Sequence, residues 1–346
     1  ASFTLAAIVS TGLALSQWLM LSDLGGLNAP MTDRVLANIG QPNILGSLLV
    51  WGLIGIWWAL HRKFIGGTTA FLTAAFLLSG VTLTRSRTAV LEVILLGIFA
   101  VIFRRQLSIG RQSRAWGGLA VWFMLTLWGV DPLSHLLDMD AGRELANFDS
   151  PAERLTILRM AWSAIAQRPW IGYGWNQVTV AHVSLSTQYP MHGLVGNAHN
   201  LILDWAIWGG VPFSLLMTAA FTTWWIWHLR HQRSPEAVLC LAAVATLQLH
   251  TMLELPHMLA YFLLPASVLM GVLSAEGEVK AVFQLPRAIP IVLSLALIGL
   301  LSEIFIEYQR LETNLMAARV RAARIAGAPE EYDPHVPLLA GYRMCC

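Results

Sequence analysis

Nine runs of mainly apolar residues take up most of this 346-residue chain, and a run near 20 residues is what about 30 Å of hydrocarbon requires of a helix. They fall at about 1–22, 44–60, 66–83, 88–103, 115–130, 200–227, 236–253, 257–273 and 288–307. With 56% of residues hydrophobic and 12% charged, the chain cannot clothe a water-facing surface. The reading is an all-α integral membrane protein of about nine transmembrane helices with the lipid bilayer as its solvent. Fifteen Trp and 27 Gly suit it, since amphipathic rings favour the headgroup layer and small residues let helices approach. A net charge of +2 points to no nucleic acid. Ala1 opens an apolar stretch without a basic leader or small-residue cleavage pattern, so no signal peptide is read there.

Charge decides orientation. Threading the spans alternately puts ten Lys and Arg on one face (Arg62, Lys63, Arg104, Arg105, Arg111, Arg114, Arg230, Arg233, Lys280, Arg287) and three in the short loops opposite (Arg34, Arg85, Arg87). The richer face is cytoplasmic by the positive-inside rule. The expected organisation is then 1–130 as spans one to five, 131–199 as a long outer loop, 200–307 as spans six to nine, and 308–346 as an outer C-terminal helix and tail. Inside the loop, Ser150-Pro151-Ala152-Glu153 supplies a capping oxygen, a proline at the first helical position and a Glu three residues after the cap. A helix is predicted over 151–167, stopped by Arg168-Pro169. At about 100° per residue, Leu155, Leu158, Ala161, Trp162 and Ile165 share one face, directed to the protein or to the membrane. Arg154 projects toward that face, while Arg159 lies further round.

Several polar residues are costly where they stand. Arg85 and Arg87 occupy an outer hairpin, where positive charge opposes the orientation signal; they either snorkel to headgroups or clamp a diphosphate through paired guanidinium hydrogen bonds. His199, at the start of the sixth span, is either a cap or a near-neutral base for a hydroxyl. Gln41 and Asn43 form either a simple helix entry or an irregular turn at membrane depth. Glu254 either pairs with a clamp arginine or is a solvated loop carboxylate, and Glu92, inside span four, must face protein. His182, His192 and His199 lack a nearby Cys and zinc-like spacing, and Cys240, Cys345 and Cys346 form no disulfide framework. No metal site is expected. The absence of G-x-S-x-G, Walker A and G-x-G-x-x-G elements argues against a serine hydrolase and against nucleotide use.

Taken in order, Gly40-Gln41-Pro42-Asn43, Ser86-Arg87-Thr88, Glu153-Arg154-Leu155, Arg168-Pro169-Trp170-Ile171-Gly172-Tyr173-Gly174-Trp175, Ala198-His199-Asn200-Leu201, Trp208-Gly209-Gly210 and His250 with Leu253-Glu254-Leu255-Pro256 resemble the bacterial O-antigen ligase and polymerase superfamily. The Gly-Gln-Pro-Asn and Glu-Leu-Pro segments tilt the likeness toward its protein O-oligosaccharyltransferase branch. Arg85 departs from the Gly or hydroxyl residue common before Ser-Arg in the family, and Ile207-Trp208-Gly209 departs from its Glu-x-Gly; family members also carry further N-terminal spans and a longer C-terminal region. The resemblance implies an inner-membrane enzyme that moves a glycan from an undecaprenyl diphosphate carrier to a hydroxyl at the periplasmic face, with inversion and with neither cofactor nor metal. The acceptor it implies is a Ser or Thr of a periplasmic or pilin-like protein, with lipid A core or a growing O-antigen as the alternative. Mapped onto this chain, Arg87, Arg154 and His199 are its catalytic candidates. Arg85, Gln41, Asn43, Tyr173, Glu254 and Arg159 are candidates for binding substrate. A lipid-sugar flippase, the alternative of another class, would spread cations over several membrane depths, whereas here they gather at one face. Topology is checked by a cysteine introduced at Ser186, which is expected to react with an impermeant thiol reagent from outside intact cells and not from the cytoplasm.

Overall fold

The computed structural model describes residues 2–21, 34–107, 113–137, 151–191, 193–231, 234–276, 286, 288–322 and 335–339. Among them the only regular structure is helical: α1 (Ser2–Trp18), α2 (Pro42–His61), α3 (Gly67–Leu83), α4 (Arg87–Ile102), α5 (Ser113–Leu136), α6 (Pro151–Gln167), α7 (Val178–Leu185), α8 (Leu201–His231), α9 (Pro235–Thr251), α10 (Ala260–Glu276) and α11 (Ala288–Ala322). Ser150, His192, Cys345, Cys346, Arg111, Arg233, Lys280 and Arg287 lie outside the described residues. A helix stands on each apolar run, but among the described residues only four have the length and apolarity to cross a membrane: Pro42–His61, Arg114–Leu136, Leu201–His231 and Ala288–Asn314. Gly67–Leu83 and Ala260–Glu276 are apolar but shorter. A count of nine spans is therefore more than length and composition support.

The chain divides into a unit over Ala1–Val279 and a second over Lys280–Cys346. In the first, α2 is buried along most of its length because α1, α3, α4 and α9 surround it. Small residues make that possible: a methyl added at Gly46 would lie 2.4 Å from Ala89 Cβ, and one at Gly52 would lie 2.4 Å from Ala7 Cβ. Close backbone approach of this kind replaces the hydrophobic drive that lipid cannot supply. A separate cluster joins Met160, Ala161 and Ala164 of α6, Ala181 and Leu185 of α7, and Trp205 and Ile207 from the first turns of α8. In the second unit, the buried Glu307 carboxylate accepts the backbone N–H groups of Leu338 (3.2 Å) and Leu339 (2.9 Å), folding the tail onto α11.

The helix predicted over 151–167 is present with those bounds, and its apolar face divides between protein contact and exposure. Leu155, Leu158 and Trp162 are exposed, while Ile157, Met160, Ala161, Ala164 and Ile165 are buried. Apolar residues encircle much of this helix, and periodicity cannot tell a face that meets protein from one that meets lipid. The buried stripe is the one against which α7 and α8 pack.

The sixth apolar run is also not one straight helix. Gly210 breaks α8 with φ +82° and ψ 172°, a conformation essentially reserved for glycine. Here the loop after α6 is clasped onto α8: Tyr173 N–H donates to Ile207 O (2.7 Å), Gly174 N–H to Trp208 O (2.9 Å), and Val211 N–H to Pro169 O (2.7 Å). A methyl at Gly172 would lie 2.4 Å from Ile207 O, and one at Gly210 would lie 2.4 Å from Trp170 C and O. The two glycine-bearing motifs thus face each other across one interlock. Gly210→Ala should cost about 3 kcal/mol through strain and lost interlock and lower the thermal midpoint in detergent. Gly129→Ala, where an added methyl meets nothing within 4 Å, should leave that midpoint within about 0.5 kcal/mol of the parent.

Candidate functional site

The turn that ends α9 carries Glu254 back beside His250, with Glu254 N–H donating to His250 O at 2.8 Å. This carboxylate is buried, yet four donors reach it. Asn43 Nδ2 and Arg154 Nη2 (3.3 Å) approach Oε1, and Gln41 Nε2 (3.3 Å) and His250 Nε2 (3.3 Å) approach Oε2. Burial works to raise the Glu254 carboxyl, but the hydrogen bond and charge of His250, together with Arg154 and His199, hold it below its ordinary value. Gln41 occupies the N-cap position of α2 but makes no side-chain cap bond there. Its amide, with that of Asn43, serves Glu254 instead. The simple helix-entry reading of these two residues therefore gives way to a tertiary one.

Behind Glu254 the chain of polar groups runs into the bundle. His250 Nδ1 lies 2.6 Å from Ser47 Oγ and 3.3 Å from Glu92 Oε1, and Ser47 Oγ donates to Glu92 Oε1 at 2.5 Å. Glu92 and His250 are completely buried, so Glu92 faces protein, as its cost in lipid required. Ser47 was not singled out from the sequence. Its one legible signal is its place four residues after Asn43, which puts two polar side chains on the same stripe of an otherwise apolar helix.

Arg154 reaches Glu254 because it shares the buried α6 stripe of Ile157, Ala161 and Ile165, each within about 60° of it. Its side chain remains 40% exposed, and a guanidinium has five N–H groups to place. Arg159 is exposed on another side of the same helix, away from the polar cluster.

His199 is not the cap of α8. Asn200 does that work, its Oδ1 accepting from Ile202 N (3.1 Å) and Leu203 N (3.2 Å) while its Nδ2 donates to Met252 O (3.2 Å) in the turn that carries Glu254. Ala198 N–H is anchored by buried Asp204 Oδ1 at 2.7 Å. Between these anchors His199 adopts φ +53°, a left-handed conformation that few side chains take up without support. Through Asn200 the His199 segment is tied to the turn that carries Glu254, the carboxylate that Arg154 reaches from α6.

The hairpin arginines part company. Arg85 takes φ +49° and turns to α5, meeting Asp131 Oδ1 at 2.8 Å and Ser134 Oγ at 3.2 Å. Arg87 is exposed at the first position of α4, where Ser86 caps the helix by accepting Ala89 N–H at 3.1 Å. It stands about 7.5 Å along the helix from Glu92. Tyr173 holds its own loop, its hydroxyl donating to Gln167 Oε1 at 2.9 Å and its ring lying 4.7 Å from the Arg168 guanidinium carbon. His182 accepts Val195 N–H at Nδ1 (3.1 Å), a structural use.

Because the folded Glu254 carboxyl sits below its ordinary value, its charge stabilises the fold above the usual carboxylate range, and that contribution is lost as pH falls through the depressed value. Glu254→Gln should lower stability by about 2 kcal/mol near neutral pH. The deficit should shrink on acidification below about pH 4, as read by unfolding in detergent across pH.

Comparison with known proteins meets this geometry from another direction. Residues 70–218 match the family described as O-antigen ligase, a range that contains Arg87, Glu92, Arg154 and His199 but not Gln41, Asn43, His250 or Glu254. The chain is 29% identical over 322 residues to a general O-oligosaccharyltransferase of Acinetobacter baylyi (strain ATCC 33305 / BD413 / ADP1), covering 89% of this chain and 56% of that protein. It is 24% identical over 252 residues to a ComP-specific O-oligosaccharyltransferase of the same strain, covering 70% of this chain and 44% of that protein. The chain spans about half the length of these curated relatives. The likeness drawn from its motifs therefore holds: it is similar to O-antigen ligases through its middle and to O-oligosaccharyltransferases over most of its length.

Proposed function

We propose that this chain is a membrane glycosyltransferase that moves an oligosaccharide from undecaprenyl diphosphate to the hydroxyl of a Ser or Thr on a periplasmic, pilin-like protein. The observation that carries the reading is the pairing of Arg154 with Glu254 beside the turn that Asn200, the neighbour of His199, holds through Met252 O, at the end of the bundle where α4 begins with Arg87. Fixed guanidinium groups suit the donor diphosphate, whose negative charge grows as the glycosidic bond breaks. Preorganised cations aimed at developing charge are worth several kcal/mol in such a step. Arg87 and Arg154 take that role.

His199 accepts the proton of the acceptor hydroxyl. The hydroxyl oxygen bonds to the anomeric carbon from the side opposite the diphosphate, the bond from that carbon to the phosphate oxygen breaks with its electron pair, and the configuration inverts. Asn43, Gln41 and Glu254 hold Arg154 rather than sugar. The bias of Lys and Arg toward the other ends of the spans supports a site on the periplasmic face of the inner membrane. The two similar proteins, each described as an O-oligosaccharyltransferase, favour a protein acceptor. The family description as O-antigen ligase favours the second reading, transfer to lipid A core, and both readings share the donor half of the reaction.

Purified protein given lipid-linked oligosaccharide should glycosylate a pilin-like protein and not lipid A core offered in a separate reaction. His199→Ala should reduce transfer at least about 100-fold with the melting curve retained. Arg87→Lys should reduce it more than about 10-fold, because an ammonium cannot reproduce paired contacts to phosphate. Near-normal transfer by Arg87→Lys would return that arginine to headgroup snorkelling.

A further inference from the structure

The buried half of the polar chain is unexplained by binding or by stability. Glu92 is 0% exposed, and its Oε2 has no hydrogen-bond partner among the described residues. Replacing a buried ion pair with well-packed apolar groups is often neutral or stabilising, so stability alone gives no reason for a carboxylate here. What Glu92 does have is a place in a sequence of contacts. Its Oε1 meets His250 Nδ1 (3.3 Å) and receives Ser47 Oγ (2.5 Å), His250 Nε2 meets Glu254 Oε2 (3.3 Å), and Glu254 Oε1 meets Arg154 Nη2 (3.3 Å).

We propose that Glu92, Ser47 and His250 are positioning residues, forming with Glu254 and Arg154 an alternating chain of anion, cation, anion and cation that sets where the Arg154 guanidinium stands. The inference rests on the function proposed above and deepens it, since that function needs a guanidinium fixed before the donor arrives. The chemistry of the ring carries it. His250 Nε2 faces Glu254, while Nδ1 faces Ser47 Oγ (2.6 Å), whose proton goes to Glu92, and Glu92 Oε1 itself (3.3 Å); both ring nitrogens are thus set to donate, as only an imidazolium can. Glu92 supplies the second carboxylate that keeps it so. Glu254 then receives four donors, one from each of Asn43, Arg154, Gln41 and His250, which matches the roughly four lone-pair sites of a carboxylate. Such a carboxylate has one orientation, and it passes that orientation to Arg154.

The charged and titratable groups that bear on the ring are Glu92 from α4, Glu254 and His257 from the segment after α9, and, through Glu254, Arg154 and His199. Without the Glu92 charge, His250 loses one carboxylate partner and reverts to a neutral ring with a single N–H. Glu254 then loses a cationic neighbour and takes up a proton at higher pH.

The test reads Glu254 directly. Infrared difference spectra of the detergent-solubilised chain are recorded as pH falls, and the protonated-carboxyl band of Glu254 is identified by its loss in Glu254→Gln. In Glu92→Gln that band should appear about one pH unit higher than in the parent chain, while Glu92→Asp, which keeps the charge, should titrate with the parent. The acid limb of glycan transfer should move up in Glu92→Gln by the same interval, and the losses from Glu92→Gln and Arg154→Lys should fail to add, as expected of residues in one chain. A space-filling role would lower the melting midpoint and leave both titrations where they were, and that result overturns the proposal. Should Glu92→Gln not fold, Ser47→Ala removes the hydroxyl that serves Glu92 and is expected to shift the band the same way by a smaller interval. An unshifted band in folded Ser47→Ala is equally fatal. A parent chain that transfers no glycan but shows the infrared shift would defeat the function and leave the positioning chain standing.

Discussion

A carboxylate buried at the end of an apolar bundle is the constraint from which the arrangement follows. An unpaired charge there would cost several kcal/mol, so Glu254 must gather donors from wherever the fold can bring them. They come from the start of α2, from α6 in the long loop and from the end of α9. These segments lie as much as 213 residues apart in the chain. One polar group thereby ties the loop between α5 and α8 to the bundle core, and the tie has direction: the groups it gathers end in a guanidinium at a half-exposed position.

The loop is held by a second, purely backbone device. Gly172 and Gly210 each expose main chain where a side chain would otherwise stand, and the two segments exchange hydrogen bonds across the gap. The break at Gly210 also turns the first two turns of α8 toward α6 and α7, so that Trp205, Ile207 and Trp208 bury against the loop helices. Asp204 and Asn200, on those same turns, then anchor the segment that carries His199. The position of His199 is thus set by neighbours on both sides.

Much of this was legible in the chain. The apolar runs located the helices, and Pro151 with Glu153 located the start of α6. The expense of Glu92 in lipid implied a protein partner, and the spacing of Arg154 and Arg159 on a helix separated an inward arginine from an outward one. Other features were not legible. Arg85 and Arg87 look equivalent in sequence, but the left-handed backbone of Arg85 sends it to Asp131 on α5. Tyr173, a plausible sugar contact on paper, is engaged with Gln167 and Arg168. Which part of the apolar face of α6 meets protein was not legible either, because an apolar side chain gives the same signal whether it meets lipid or protein.

By itself, then, the sequence determined composition, periodicity and the intrinsic cost of each polar group: that the chain is helical, that several helices have membrane-spanning character, and that certain charges had to find partners. Which partner each charge found was decided only in the tertiary structure. Periodicity acts over a few turns, whereas a buried carboxylate is satisfied by groups separated by scores or hundreds of residues, and nothing local to Gln41, Ser47 or Arg154 specifies that they should meet Glu254 or His250.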